Sequence, residues 1–203
     1  MKKKFILGAF CWVLLSTNSF SQNSWTEADR NYLINNLTRT RDSVIKETAN
    51  LTEAQWNFKE SPERWSIRQV TEHIAIWELL LMHEISRALG TSAHPEWQAK
   101  PDSLYLGFIL EEKPHISVEY TKPFTYTLPL GMNNGKNNVA WFLKMRNESV
   151  DYLKTAKEDL RVFYLKETRP NVHQVYIYVF GHSERHLRQI RKIKSNPNYP
   201  KVS

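Results

Sequence analysis

The sequence predicts an all-α fold, namely a four-helix bundle with a long crossover between helices two and three. Apolar residues recur at intervals of three and four through four segments, as expected for helices that each bury one face. Glycine is scarce, with 6 residues among 203, which also favours long helices. The predicted long helices span residues 25–49, 67–89, 139–156 and 172–195. Between the second and third of them the chain is broken repeatedly by prolines at 95, 101, 114, 123 and 129.

Capping boxes mark most of the predicted helix starts. In this motif a Ser, Thr or Asn side chain and a residue three positions later each bind the other's backbone amide. The pairs are Ser24 with Glu27, Thr52 with Gln55, Ser66 with Gln69 and Asn171 with Gln174. The second long helix is expected to stop at Gly90 and the fourth before Pro197. Within the crossover we expect a helical piece near 103–112 and extended structure over 118–128.

Residues 1–21 are predicted to be a signal peptide and residues 22–203 a single domain. Three lysines precede the apolar run Phe5–Leu15, and Ser19–Ser21 fits the small-x-small pattern before a cleavage site. The run is shorter than the ~20 apolar residues that span a bilayer, so no stable membrane span is expected. The mature protein should therefore be exported, either to a periplasm or out of the cell. An uncleaved N-terminal anchor is the alternative.

The composition restricts the partners and the source of stability. The single cysteine, Cys11, lies in the predicted signal peptide, so the mature chain contains no disulfide. The net charge of +7 falls further when the leader lysines are removed, and this mild basicity requires no nucleic-acid partner. A small-molecule substrate of unknown identity is expected, and a homodimer is left open.

Three histidines form the candidate metal site: His73, His182 and His186. His182 and His186 are four residues apart on the last helix, so their side chains lie about 40° apart on one face and about 6 Å apart along the axis. Both belong to an apolar stripe, and His73 lies in a similar stripe on helix two. A shared metal would satisfy imidazoles that point into a core. The alternative is a pair of hydrogen-bonded core histidines beside an unrelated third.

Three neutral histidines suit a divalent metal and leave coordination positions open. Zinc and nickel are the favoured ions, and iron, copper and manganese are alternatives. An open site is typical of catalytic metals, which lower the pKa of water or activate a carbonyl or thiol. No catalytic side chain is assigned. Ser183 occupies the position where a zinc-protease motif requires glutamate, and Glu184 should face away from the site.

Other polar and aromatic residues receive simpler structural interpretations. Glu72 and Glu78 flank His73, and we expect solvated surface carboxylates there in preference to partners of metal ligands. Cations near the end of the last helix complement its dipole. They are Arg185, Arg188, Arg191, Lys192 and Lys194. Core packing is the preferred explanation for the tryptophans near the site, Trp56, Trp65 and Trp77. Four histidines are left out of the site: His83, His94, His115 and His173.

Both ends of the mature chain resemble the DinB-like domain family. The similar segments are Leu51–Trp56, Glu63–Ile67, Glu72–Ile74, Ala156–Leu160, His182–Ile190 and Asn198–Pro200. The resemblance implies a four-helix bundle with a long second-to-third crossover. It also implies a metal triad of one histidine from helix two and an H-x-x-x-H pair from helix four, which correspond to His73, His182 and His186. Characterised relatives include metal-dependent transferases and isomerases that use small thiols, and some are regarded as hydrolases. The export signal departs from this pattern, because such thiols are chiefly cytosolic.

Three hypotheses about function follow. The first is an exported, metal-dependent hydrolase or transferase that uses an open three-histidine site. The second is a non-catalytic bundle that binds a metal or another ligand, in which the ion mainly makes the core rigid. The third is an interaction module that docks onto an anionic surface through the basic end of its last helix.

Overall fold

The computed structural model describes residues 24–110, 127–167 and 169–201. Across these ranges the regular structure is entirely helical, apart from one isolated antiparallel bridge between Tyr164 and Asn171. The helices are α1 (Glu27–Thr48), α2 (Glu53–Asn57), α3 (Ile67–Leu89), α4 (Ser103–Leu110), α5 (Gly135–Thr155) and α6 (Val172–Lys194). The predicted signal peptide and most of the predicted extended stretch, at 118–126, lie outside the described residues.

The four long helices, α1, α3, α5 and α6, form the bundle. Helix α1 packs against α5 and α6, and α3 packs against the same two helices, so α1 and α3 are diagonal. The short helix α2 packs against α3, and α4 from the crossover packs against α6. The predicted all-α bundle, with its long connection between the second and third long helices, is confirmed.

The helix starts follow the predicted caps with two differences. The capping boxes that begin α2, α3 and α6 are those predicted. Helix α1 is capped by Thr26 and Asp29 and not by Ser24 and Glu27, so the predicted box was wrong. The carboxylate of Asp29 also pairs at 2.8 Å with Arg161, a long-range contact that favours this choice.

Helix α5 begins at Gly135, four residues before the predicted start. The side chain of Asn134 accepts a hydrogen bond from the Asn137 amide at 2.8 Å and so caps the helix. A Cβ atom at Gly135 would lie 2.3 Å from a ring carbon of Trp56. Glycine is therefore required by the close approach of α5 to the Trp56 ring of α2.

The crossover is fastened to the bundle through Asp102, immediately before α4. Its carboxylate accepts hydrogen bonds from Arg161 at 3.1 Å and from Gln174 at 2.9 Å, and lies 3.4 Å from the buried ring of His173. The hydrogen bond with His173 and those with Arg161 and Gln174 hold the pKa of Asp102 well below its usual range, against the opposing effect of burial. The carboxylate therefore stays ionised and connects α4 to the first turn of α6.

Candidate metal centre

The rings of His73, His182 and His186 converge in the bundle between α3 and α6. One nitrogen from each ring lies within 4.8 Å of one from each of the others. The Nε2 atoms of His182 and His186 are 3.1 Å apart. All three residues are buried, with 5% of His182 and less of the other two exposed. The structure thus brings together the three residues selected from the sequence.

Two of the rings are oriented by hydrogen bonds on the side facing away from the group. Nδ1 of His73 lies 2.7 Å from the carbonyl oxygen of Thr127, and Nδ1 of His186 lies 2.8 Å from Oε1 of Gln189. Both partners are acceptors, so each Nδ1 carries the proton and each Nε2 keeps its lone pair. Metal-binding histidines are commonly oriented by such second hydrogen bonds. Neither partner was predicted from the sequence, although Gln189 lies about one helical turn after His186, a spacing that could have indicated it.

Burial keeps the imidazoles of His73 and His182 neutral. It lowers the pKa of His73 to about 4, although the hydrogen bond to Thr127 acts in the opposite direction. Burial also holds the pKa of His182 well below its usual value, and the neighbouring His186 and His73 add to this effect. Neutral imidazole is the form that binds a metal.

The donor set fits a divalent metal with a preference for nitrogen. With metal–nitrogen bonds of about 2.0–2.1 Å, two ligands are separated by roughly 2.9 Å at a right angle and about 3.4 Å at the tetrahedral angle. The 3.1 Å between the Nε2 atoms of His182 and His186 lies between these values. The three imidazoles therefore suit such an ion by their chemistry, and the pair His182 and His186 suits it by spacing as well.

Glu72 is buried, and the prediction of a solvated surface carboxylate was wrong. Only 2% of it is exposed. Its oxygens accept hydrogen bonds from the backbone amides of Leu130, Gly131 and Met132 at 2.9–3.2 Å. These bonds fasten the segment that follows Thr127, whose carbonyl orients His73. The carboxylate next to His73 therefore acts on the site through the loop.

Glu78 is also buried, and it pairs with Arg146 in the centre of the bundle. The guanidinium of Arg146 binds both carboxylate oxygens, at 2.5 and 2.9 Å, and donates to the hydroxyl of Ser183 at 2.8 Å. The surface prediction was wrong here as well, because the compensating charge comes from α5, 68 residues away in the chain. The pair joins α3, α5 and α6 beside His182.

Two of the three tryptophans contact the histidines. The ring centroids of Trp65 and His73 are 4.7 Å apart, and those of Trp77 and His182 are 5.2 Å apart. Trp56 instead belongs to an apolar cluster with Ile190 and Ile193. The aromatic rings cover the imidazoles and limit their contact with water.

The remaining candidate residues lie away from the group. Glu184 pairs with Arg39 at 2.8 Å and so faces away, as predicted. Within the described ranges no carboxylate belongs to the three-histidine group. The other described histidines, His83, His94 and His173, are outside it, and His115 is not among the described residues. Part of the basic cluster is neutralised, since Arg191 and Lys194 both pair with Glu47.

A cavity of about 1020 Å³ lies beside the histidines and was not predicted from the sequence. Trp77 and Tyr178 line it, and both rings also contact the His182 ring, with ring centroids 5.2 and 6.1 Å apart. From these rings the cavity extends between α3, α4 and the start of α6. Its apolar lining residues come from distant parts of the chain, which is why no local pattern revealed it.

The fold and the site define the chain as an all-helical bundle with a buried three-histidine candidate metal centre. It belongs to the DinB superfamily, whose family profile matches residues 36–190. A solved structure with this fold is YfiT from Bacillus subtilis, described as "a probable metal-dependent hydrolase with an unusual four-helix bundle topology". The TM-score is 0.52 over 85% of this chain and 90% of YfiT, with 14% sequence identity, so the likeness establishes the fold alone.

The comparison with curated proteins gave no match. None of the described helices has both the length and the apolar character needed to cross a membrane.

Proposed function

We propose that the protein is an exported, metal-dependent hydrolase in which His73, His182 and His186 bind a divalent ion. The convergence of three buried imidazoles carries this proposal. The description of YfiT as "a probable metal-dependent hydrolase" supports hydrolysis ahead of group transfer. A transferase using the same open site remains the nearest variant of this function.

Zinc or nickel is the ion that we propose, with iron, copper and manganese as alternatives. The three ligand nitrogens are of the kind that zinc and nickel bind well, and three protein ligands leave room for a substrate. When bound, such an ion supplies Lewis-acid chemistry toward a substrate carbonyl or phosphoryl group. The chain's own contribution is to orient the imidazoles through Thr127 and Gln189 and to exclude water with Trp65 and Trp77.

The elemental content of the purified protein tests the metal site. We expect about one equivalent of metal per chain in the wild type and the loss of most of that metal in His182→Ala. The matched control is His83→Ala, which changes an exposed histidine on α3 outside the group. Equal metal content in the wild type and His182→Ala, with helicity unchanged by circular dichroism, would remove the site.

Export is proposed from the leader at 1–21, with the domain at 22–203. The mass of the N-terminal peptide from the expressed protein tests this, since cleavage leaves a chain that begins at Gln22. Recovery of the full-length N-terminus from the periplasm or medium would indicate an anchor or another route.

A non-catalytic metal-binding bundle is the second candidate, and one observation favours it. The two carboxylates nearest His73 in the chain are already engaged, Glu72 by three backbone amides and Glu78 by Arg146. A general base must therefore come from elsewhere. Metal-dependent hydrolysis of p-nitrophenyl esters or phosphates, lost in His182→Ala and kept in His83→Ala, would decide for the enzyme. Stoichiometric metal without turnover of either class would favour the binding protein.

A further inference from the structure

The cavity beside the histidines has an apolar interior and a charged mouth. Trp77, Leu81, Val175 and Tyr178 form the inner walls, and Leu104 of α4 adds an apolar edge. Its volume of about 1020 Å³ is at the upper end of the range usual for small-molecule sites, roughly 300–1,000 Å³. An apolar cavity of this size is large enough for an organic molecule.

The length of the cavity follows from the residues of α3 that line it. Trp77, at the inner end, is one turn from His73, and Arg87 at the mouth is ten residues further along the helix. At 1.5 Å per residue this is a span of about 15 Å. An elongated ligand can therefore rest against the rings that contact His182 and still reach the charged mouth.

The charges at the mouth favour an anion. Five charged residues line it, two arginines, one lysine and two glutamates: Glu84, Arg87, Lys166, Glu167 and Arg169. Arg87 and Glu84 pair with each other at 2.7 Å, so a surplus of one positive charge remains near Lys166 and Arg169.

The charge of Arg169 reaches the cavity wall. Burial raises the pKa of the Tyr105 phenol and the nearby Asp102 raises it further, whereas Arg169 acts in the opposite direction. Tyr105 and Arg169 both line the cavity, so the guanidinium is close enough to influence a ligand there.

We propose that this cavity binds an amphiphilic organic anion, with its aromatic or aliphatic body between Trp77, Leu81 and Tyr178 and its anionic end near Arg169 and Lys166. That this anion is the substrate of the histidine centre rests on the proposed function. The binding of the anion does not rest on that function, because no histidine of the centre lines the cavity.

Three probes that differ only at one end test the proposal: 6-phenylhexanoate, 6-phenylhexan-1-ol and 6-phenylhexylamine. Isothermal titration should show that the carboxylate binds about two- to fivefold more tightly than the alcohol, the gain typical of an exposed ion pair. The amine should bind most weakly. No measurable binding of any probe, or an amine that binds at least as tightly as the carboxylate, would overturn the proposal.

Charge reversal at the mouth separates the ionic contribution. Arg169→Glu should abolish the preference for the carboxylate while the alcohol binds as before. Lys136→Glu is the matched control, since it makes the same change at an exposed position of α5 outside the cavity. A preference that survives in Arg169→Glu, or disappears equally in both variants, would contradict the assignment.

A second pair of variants tests the apolar wall without disturbing the core. Leu104 is 56% exposed and lines the cavity, and Leu79 is 43% exposed and does not. Leu104→Asp should weaken 6-phenylhexanol severalfold, and Leu79→Asp should leave its affinity unchanged. Equal affinities in the two variants would place the probe elsewhere.

The metal-site variant keeps the two claims apart. His182→Ala should lose its metal and still bind 6-phenylhexanoate, because the probe needs the cavity and not the ion. A wild type without metal that still binds the carboxylate through Arg169 would refute the proposed function alone. A metal-loaded wild type that binds none of the probes would refute the cavity assignment alone.

Discussion

Removal of the carboxylate of Glu78 should destabilise the bundle more than removal of any exposed acidic side chain. Arg146 is fully buried and Glu78 is 3% exposed. The guanidinium also donates to the Leu37 carbonyl at 3.0 Å and to the Thr40 hydroxyl at 2.6 Å. Glu78→Ala would leave these neutral partners but no negative charge, so the cation would remain in the core without compensation. Breaking a buried pair in this way costs about 3–5 kcal/mol.

Urea unfolding followed by circular dichroism at 222 nm measures this cost. With a slope of roughly 2 kcal/mol per molar urea, the midpoint should fall by about 1.5–2.5 M. The urea midpoint of Glu78→Gln, which keeps the shape and one acceptor oxygen, should fall by less. This variant can be measured if Glu78→Ala does not fold. The control is Glu184→Ala, which removes ion pairs with the half-exposed Arg39 and Arg191 and should cost about 0.2–1 kcal/mol for each pair.

Simultaneous replacement of both charges distinguishes a missing partner from a missing contact. Glu78→Leu/Arg146→Met should recover most of the stability lost in Glu78→Ala, because no buried charge remains. A midpoint for Glu78→Ala that matches Glu184→Ala within error would refute the reasoning. It would mean that the Arg146 charge is solvated or compensated by other groups.

Three further predictions concern the site and its support. Gln189→Leu removes the acceptor for His186 Nδ1 and should weaken metal binding about 10- to 100-fold in a competitive chelator titration. Gln98→Leu is the control away from the site, and equal metal affinities in the two variants would contradict this role of Gln189. Chelation of bound metal should lower the melting temperature, since an ion at 100 times its dissociation constant adds about 2.7 kcal/mol to the free energy of unfolding. An unchanged melting temperature would show that the ion does not stabilise the fold. Gly135→Ala places a methyl group against Trp56 and should cost about 1–3 kcal/mol in urea unfolding. Gly107→Ala meets no atom of the described residues within 4 Å and should cause no loss, since alanine is favoured over glycine inside a helix. Equal losses in the two variants would contradict the clash.

The parts of the molecule that the sequence predicts well are those set by local patterns. Helical periodicity and capping boxes depend on residues three or four apart, so α3 and α6 are predicted at their observed starts. The pair His182 and His186 is local in the same sense. His73 could be added because it too lies in an apolar stripe, and buried stripes of a bundle face a common core.

The features that were missed depend on partners far away in the chain. Glu72 and Glu78 are charged residues, which are mostly exposed in proteins, and their burial depends on partners 59 and 68 residues later in the chain. Thr127, which orients His73, acts through a backbone carbonyl that no side-chain pattern reveals. The Trp56 contact that requires glycine at 135 is likewise a matter of packing between α2 and α5.

The candidate centre likewise depends on both local contacts and contacts between distant parts of the chain. His182 and His186 are brought together by α6 alone, whereas His73 reaches them only when α3 packs against α6 and the loop at Thr127 is in place. An ion held by all three would therefore connect the two helices and bind the folded chain more tightly than the unfolded one. Metal affinity and the stability of the α3–α6 contact should then change together, because each depends on the same convergence of imidazoles.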